Sequence, residues 1–254
     1  MNLNHRSLEQ SLPSVRRTAG ADWMSTTLKR VLLAAAIAMP SAARAVTLRS
    51  PQVTLGGTGL QSFLNSVGET IDAQHDQIVG ELLQATVSNN STYTLQIELG
   101  PATAGTVLGV YSGHDANPTL MPVFPAAAAP QWFATLSYRT GPGRATVNLF
   151  DDFASFRGTT VYLGADRNAI GFYVAGPSGT YYSQDSRNPD GAAQCLFFRG
   201  TGINSGTMWL AFEEQPYSTG DHDFDDAVCF VETVFSSVTP TLHTTWGQLK
   251  QRFR

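Results

Sequence analysis

The chain has 254 residues, of which only 14% are charged, well below the roughly 25% of an average soluble domain. It contains 23 glycines and 13 prolines but only two lysines, Lys29 and Lys250. This composition argues against a coiled coil, a helical bundle and a basic nucleic-acid-binding protein. It is typical of an all-β protein that works outside the cell.

The first predicted element is an export signal that ends at Ala45. A basic pair, Lys29-Arg30, precedes the ten-residue apolar stretch 31–40, and an A-x-A cleavage pattern follows at 41–45. The apolar stretch is too short to span a membrane, which takes about 18 residues or more. A short buried helix is the alternative interpretation. We expect cleavage near Ala45 and a secreted or cell-surface protein with no membrane span.

The leader also changes the charge balance of the rest of the chain. Residues 1–23 are polar and lack periodicity, and Met24 would start a signal peptide of normal length, so 1–23 is interpreted as a non-native extension. Residues 1–45 hold six of the 16 Lys and Arg residues and two of the 20 Asp and Glu residues. The remaining residues therefore carry ten positive and 18 negative charges, a net of −8. This acidity disfavours nucleic acid as a partner.

A single β domain is predicted over 46–238, beginning with a short helix near 59–67. Ten segments after residue 90 have the alternation or the β-branched and aromatic content of strands, and turns rich in Gly and Pro separate them. The predicted strands are Thr92–Leu99, Thr106–Tyr111, Trp132–Tyr138, Ala145–Phe150, Thr159–Leu163, Ala169–Val174, Thr180–Ser183, Gln194–Phe198, Met208–Glu213 and Ala227–Val234. This pattern predicts an all-β fold, a β-sandwich of jelly-roll-like topology.

Two segments fall outside the strand pattern. Pro118–Pro130 holds four prolines and four consecutive alanines, which predicts an exposed loop, with a domain linker as the alternative. The C-terminal tail, 239–254, places Trp246, Leu249 and Phe253 on one face of a helix. We predict a helical tail that caps the domain, with a loose terminus and a sorting or docking signal as the alternatives.

An acidic cluster is the one constellation that indicates chemistry. Six carboxylates lie within residues 213–226, a window without Lys or Arg. Carboxylates this close repel one another unless a cation neutralises them, and Ca²⁺ takes six to eight oxygen ligands. Because side chains alternate along a strand, one residue of each adjacent acidic pair is expected to be a ligand. The predicted Ca²⁺ ligands are drawn from Glu213, Glu214, Asp221, Asp223, Asp225 and Asp226.

Two alternatives compete with a calcium site in a β-loop. Asp221, Asp223 and Asp225 match the first three ligand positions of an EF-hand, but Asp226 stands where that loop needs glycine. The next residues predict a strand, which would carry Glu232 about 20 Å away from the other ligands. The EF-hand interpretation therefore fails. A solvated acidic hairpin that aids solubility and blocks edge pairing stays open.

The same region carries a family resemblance. Residues 208–214 (MWLAFEE) and 220–228 (GDHDFDDAV) resemble the hallmark of the domain of unknown function 4114 family, a family of secreted bacterial proteins. The segments 170–174, 179–183 and 188–191 are similar to the same family. The resemblance implies export, a β-sandwich and Ca²⁺ binding, and it implies no catalytic activity.

Two positions depart from the family pattern, and both retain an oxygen ligand. Glu214 stands where aspartate is usual, and Asp225 stands where asparagine is common. The two cysteines lie in predicted strands of an exported protein. A disulfide between Cys195 and Cys229 is one outcome, and two buried thiols are the other, because the strand register is open at this stage.

These observations predict a secreted Ca²⁺-binding protein with a structural or adhesive role, no catalysis, and an unidentified surface or matrix component as its partner. The alternative is a carbohydrate-binding module that stacks a glycan on Tyr181, Tyr182 or Trp132. A hydrolase that uses paired carboxylates has only their presence in its favour. The G-G-T-G segment near Gly56 lacks the strand–helix context of a phosphate site.

Overall fold

The computed structural model describes most of the chain after residue 45. The described ranges are 46–85, 90–98, 106–139, 143–232 and 234–236, with the backbone alone for 90–98, 139, 235 and 236. The predicted signal peptide and the predicted helical tail lie outside the described residues.

Strands dominate the described residues. One α-helix, α1 (Gly59–Ser66), and short 3₁₀ turns accompany them. The strands are β1 (Leu83–Ala85), β2 (Asn90–Glu98), β3 (Val107–Ser112), β4 (Met121–Phe124), β5 (Phe133–Arg139), β6 (Arg144–Phe150), β7 (Phe156–Leu163), β8 (Ile170–Gly176), β9 (Gly179–Tyr182), β10 (Cys195–Arg199), β11 (Met208–Phe212), β12 (Ala227–Glu232) and β13 (Val234–Ser236). The predicted all-β fold with a short N-terminal helix is confirmed. Among the described residues, no helix has the length and apolar character needed to cross a membrane.

The strands form two antiparallel sheets. One has the order β13-β1-β8-β3-β4, with β9 paired to β8, and the other has the order β10-β11-β12-β2-β5-β6-β7. Apolar side chains from both sheets form one core, in which Phe172 of β8 meets Phe197 of β10 with ring centroids 6.3 Å apart. The jelly-roll order of the strands stays a prediction.

Helix α1 covers part of the second sheet on the face away from the main core. Its buried residues Leu60 and Leu64 join a cluster with Phe198 and Trp209. Because both faces of β11 are covered, all five of its residues are buried, and they do not alternate. The position of the helix also brings its first residue, Gly59, to the connection between β11 and β12.

The prediction of an exposed loop over Pro118–Pro130 is wrong for the central residues of that segment. Met121–Phe124 form β4, and Met121, Val123 and Phe124 are buried. Strand β4 lies at the edge of its sheet, and Pro122 is paired with Gly109 next to a shift in register. An edge strand or a bulge tolerates a proline because its missing N–H leaves no ladder bond unmade. The strand β4 was therefore not predicted, because its prolines are typical of a loop.

The last predicted strand is also divided. Ala227–Glu232 pair with β11 and β2 in one sheet, whereas Val234–Ser236 pair with β1 in the other sheet. Strands that pass from one sheet to the other make the corners of many two-sheet folds. The sequence pattern is continuous across this corner because both pieces bury apolar side chains.

Cys195 and Cys229 are two buried thiols and form no disulfide. Cys195 is paired with Phe212 of β11, and Cys229 is paired with Leu210 of the same strand, so β11 lies between the two cysteines. Residues two strands apart are separated by about 9–10 Å, and a disulfide needs Cα atoms within about 7 Å. The strand register therefore decides the question that the sequence left open.

Candidate metal site

The acidic residues form the connection between β11 and β12. Phe212, the last residue of β11, is paired with Ala227, the first residue of β12. The residues just beyond that pair, Glu213 and Asp226, are therefore held close together by the register of the sheet. The fourteen-residue connection thus begins and ends on a carboxylate at the same point of the fold.

Three of the six predicted ligands converge. One carboxylate oxygen each from Glu213, Asp221 and Asp223 lies within 4.8 Å of the other two. Glu213 is fully buried, Asp223 is half-buried and Asp221 is exposed. The group therefore runs from the protein interior to the solvent, and its donor atoms are all carboxylate oxygens.

Glu213 is the unusual member of this group. Its Oε1 accepts the backbone N–H of Gln215 at 3.2 Å, but its buried Oε2 accepts no hydrogen bond from the described residues. Burial, with the carboxylates of Asp226 and Asp221 close by, raises the pKa of Glu213 to about 8. A buried, unpaired carboxylate is unfavourable, so Oε2 needs either a cation or a proton, and a proton on Glu213 would be shared with the adjacent carboxylate of Asp226.

The pKa values of the two aspartates that precede β12 are raised as well. Burial and the neighbouring carboxylate of Asp223 raise the pKa of Asp225 to about 6. Burial also raises the pKa of Asp226 to about 6, and the carboxylate of Glu214 adds to the effect. Asp226 Oδ2 accepts the backbone N–H of Glu214 at 2.9 Å, which fixes its place between the two glutamates.

Glu214 does not belong to the converging group. The Thr106 hydroxyl donates to its Oε2 at 2.7 Å, and its Oε1 is buried without a hydrogen bond from the described residues. Glu214 is therefore held near the start of β3, while Glu213 meets Asp221 and Asp223. This separation of neighbours is what the alternation of side chains along a strand leads us to expect.

We call the connection 213–226 the acidic loop. The segment Gly56–Gly59, which contains three glycines, packs against it. A Cβ on Gly56 would lie 1.7 Å from the carbonyl oxygen of Asp221, and a Cβ on Gly59 would lie 1.7 Å from Asp225 Oδ2. The backbone N–H of Gly56 also donates to the carbonyl of His222 at 2.9 Å. Sequence reasoning assigned no role to these glycines, and the only clue was their density immediately before the predicted helix.

Two residues of the loop have left-handed backbone conformations. His222 has φ 61° and Phe224 has φ 56°. The ring of His222 stacks on Tyr217 with centroids 4.1 Å apart, while Phe224 is fully buried in the cluster beneath helix α1. Stacking on Tyr217 thus holds His222 in place, and burial in the apolar cluster holds Phe224. Asp223 lies between these two residues.

The predicted stacking platforms fit a glycan poorly. Tyr181 is only 3% exposed, and its hydroxyl donates to the carbonyl of Ser178 at 3.0 Å. Tyr182 is half-buried against Tyr111 in an edge-to-face contact, and Trp132 has the guanidinium of Arg157 over its ring at 5.6 Å. Tyr181 is therefore excluded as a platform, and the other two rings already have partners.

No protein-family model, curated protein or solved structure matches this chain. The resemblance to the domain of unknown function 4114 family therefore stays a prediction. The chemistry assigned to the acidic loop rests on the geometry of Glu213, Asp221 and Asp223 alone.

Proposed function

We propose that the connection between β11 and β12 binds Ca²⁺ through Glu213, Asp221 and Asp223. The observation that carries this proposal is the buried carboxylate of Glu213, whose Oε2 lacks a hydrogen bond from the described residues and which contributes one oxygen to the group with Asp221 and Asp223. A divalent cation would neutralise the group and remove the cost of a buried negative charge on Glu213. Asp225 and Asp226 would then act as nearby charges that strengthen the site, and Glu214 would stay outside it.

The donor set favours Ca²⁺ over other metals. The three converging side chains offer only oxygen, which suits hard cations, and they include neither the imidazole nor the thiolate that Zn²⁺ prefers. Ca²⁺ also accepts irregular geometry and completes its six to eight ligands with backbone carbonyls and water. The imidazole of His222, which lies between two of the aspartates in sequence, makes a hydrogen bond with the carbonyl of Tyr217 through Nε2 at 2.5 Å.

The role that follows is structural. Ca²⁺ would join the start of the connection at Glu213 to its far end at Asp221 and Asp223, and so would press the loop against Gly56–Gly59. We further propose that the protein is exported, has a jelly-roll-like β-sandwich, and serves a structural or adhesive role at the cell surface or in the matrix without catalysis. The export pattern and the two antiparallel sheets around one core support this part.

Calorimetric titration of the full-length protein with CaCl₂ tests the proposal. We expect saturable binding by the wild type and at least a tenfold weaker affinity for Asp223→Asn, which keeps the size of the side chain and removes its charge. Asp152→Asn is the matched control, since Asp152 is exposed and lies in another loop. The proposal fails if the wild type takes up no Ca²⁺, or if Asp223→Asn binds as the control does.

A further inference from the structure

A cleft of about 770 Å³ opens next to the acidic loop. Its walls come from 49–54, from Glu81, from Asp185 and 190–193, and from Tyr217 of the β11–β12 connection. This volume lies in the range of small-molecule binding sites, about 300–1,000 Å³. The cleft therefore joins the proposed cation loop to a separate set of polar side chains.

The polar centre of the cleft is an incompletely satisfied ion pair. Arg49 Nη2 donates to Asp185 Oδ2, while the buried Asp185 Oδ1 accepts no hydrogen bond from the described residues. Glu81 lies close enough for its charge to be affected: burial and the carboxylate of Asp185 raise the pKa of Glu81. The unpaired Oδ1 has no exposed surface, so the cleft presents the accessible edge of this ion pair, with a partly exposed carboxylate directly beside a guanidinium donor.

Tyr217 gives the cleft an aromatic wall. It is 40% exposed, and its ring is stacked on His222 at an interplanar angle of 17°. His222 lies between Asp221 and Asp223, so the position of the tyrosine depends on the order of the acidic loop. A cation at the loop would therefore fix this wall of the cleft as well.

A hydroxyl-rich ligand fits this set of groups better than an ionic one. A hydroxyl can donate to the partly exposed carboxylate of Asp185 and accept from Arg49 at the same time, because it is both donor and acceptor. An amine would satisfy Asp185 but would lie beside the positive charge of Arg49. An anion would face Glu81, Asp185 and Asp190. The C–H face of a sugar ring also suits the exposed tyrosine.

We propose that the cleft binds a saccharide, with Tyr217 as the stacking platform and with Asp185 and Arg49 as hydrogen-bonding partners. We further propose that binding requires Ca²⁺ at the adjacent loop, a clause that rests on the proposed function. The tyrosine would contribute stacking, and the ion pair would orient the hydroxyl groups. The cation and its carboxylate ligands would support the platform and would not touch the saccharide.

An array of defined oligosaccharides, probed with the labelled full-length protein in Ca²⁺ and in EGTA, tests this proposal. We expect binding in Ca²⁺ that is lost in EGTA, and about a tenfold weaker affinity for Tyr217→Ala. Phe153→Ala is the matched control, since Phe153 is an exposed aromatic residue (83%) that does not line the cleft. Unchanged melting temperatures would show that both variants are folded.

The outcomes separate the cleft from the cation loop. A blank array from protein that still binds Ca²⁺ in calorimetry overturns the cleft proposal and leaves the proposed function intact. Binding that persists equally in EGTA overturns the cation requirement, and equal binding by Tyr217→Ala overturns the role of the platform. Binding confined to amino sugars and lost in high salt would overturn the assignment of neutral hydroxyl groups as the chemistry that the cleft recognises.

Discussion

Asp225 occupies the space that a side chain at position 59 would need. Its Oδ2 lies 1.7 Å from where a Cβ on Gly59 would be placed, and Gly59 is the first residue of helix α1. The N-terminus of a helix favours a nearby negative charge. The helix and the acidic loop are therefore in close contact at this point, and a side chain at position 59 would force the Asp225 carboxylate to move.

Gly59→Ala should destabilise the protein although alanine is the better helix former. Alanine gains up to about 1 kcal/mol in helix propensity. Overpacking against Asp225 typically costs about 1–3 kcal/mol. We expect this cost to exceed the gain in helix propensity. Chemical denaturation measures the net loss in the free energy of unfolding. Ser62→Ala, at an exposed position of the same helix, should be neutral or slightly stabilising. Equal behaviour of the two variants would show that the close approach has no energetic importance.

The carboxylates of the loop should make stability depend on pH when Ca²⁺ is absent. The pKa of Glu213 is about 8 in the folded protein against an ordinary 4.5, and those of Asp225 and Asp226 are about 6 against 3.8. The folded state thus binds more protons than the unfolded state between these values, so stability falls as pH rises from about 4 to 8. Melting temperatures in EGTA across this range should decline.

Saturating Ca²⁺ should weaken that decline, because the cation favours the ionised carboxylates. The same melting series in Ca²⁺ measures the difference. Parallel pH profiles with and without the cation would contradict the assignment of the site to these carboxylates.

Glu213→Gln should raise the stability of the protein without Ca²⁺ and lower the stabilisation that Ca²⁺ provides. In EGTA at pH 8.5 the variant removes a buried charge, so we expect stability to rise by on the order of 1 kcal/mol. In Ca²⁺ the variant lacks a ligand and should show little further stabilisation. Melting temperatures of wild type and variant in both buffers give the comparison. A variant that is less stable than the wild type in EGTA would mean that Glu213 already has a partner without the cation.

The buried carboxylate of Glu69 lies outside the acidic loop, and hydrogen bonds from the protein satisfy it without a cation. The carboxylate is 4% exposed and accepts hydrogen bonds from the backbone and hydroxyl of Thr201, from Asn204 and from Trp209 Nε1 at 2.5–2.8 Å. Burial opposes its ionisation, but hydrogen bonds from Thr201 and from these two side chains hold the pKa of Glu69 below its ordinary value.

Glu69→Gln should therefore lower the free energy of unfolding by about 2–4 kcal/mol, since it sets an amide donor against these donors. Denaturation should show the same loss in Ca²⁺ and in EGTA, because the contact lies outside the proposed site. A loss that appears only in Ca²⁺ would instead place Glu69 in the cation linkage. Asp115→Asn, at an exposed position, is the control.

Local patterns in the sequence were enough to predict most of the fold. Each of the ten predicted strands overlaps an observed one, and helix α1 ends within one residue of its predicted bounds. Strand β4 was missed because Pro122 stands in an edge position, where proline is tolerated. Strand β1 has only three residues, too few to show a period.

The site was only partly predictable. Composition pointed to the acidic loop, but the choice of Glu213, Asp221 and Asp223 depends on the left-handed residue His222, whose φ no periodicity reveals. The packing of Gly56–Gly59 on the acidic loop was missed because Gly59 and Asp225 are far apart in sequence and meet only after helix α1 packs on the sheet. Tertiary packing, which a single sequence does not display, determines both features.

The most direct test of the calcium site is the melting temperature of the full-length protein at pH 7.5 in EGTA and in millimolar Ca²⁺. At a Ca²⁺ concentration about 100 times the Kd, binding adds about 2.7 kcal/mol, which corresponds to about 5–10 °C for a domain of this size. We expect this rise in the wild type and in Asp152→Asn, and its loss in Asp223→Asn. A wild-type melting temperature that is the same in both buffers would contradict the central claim.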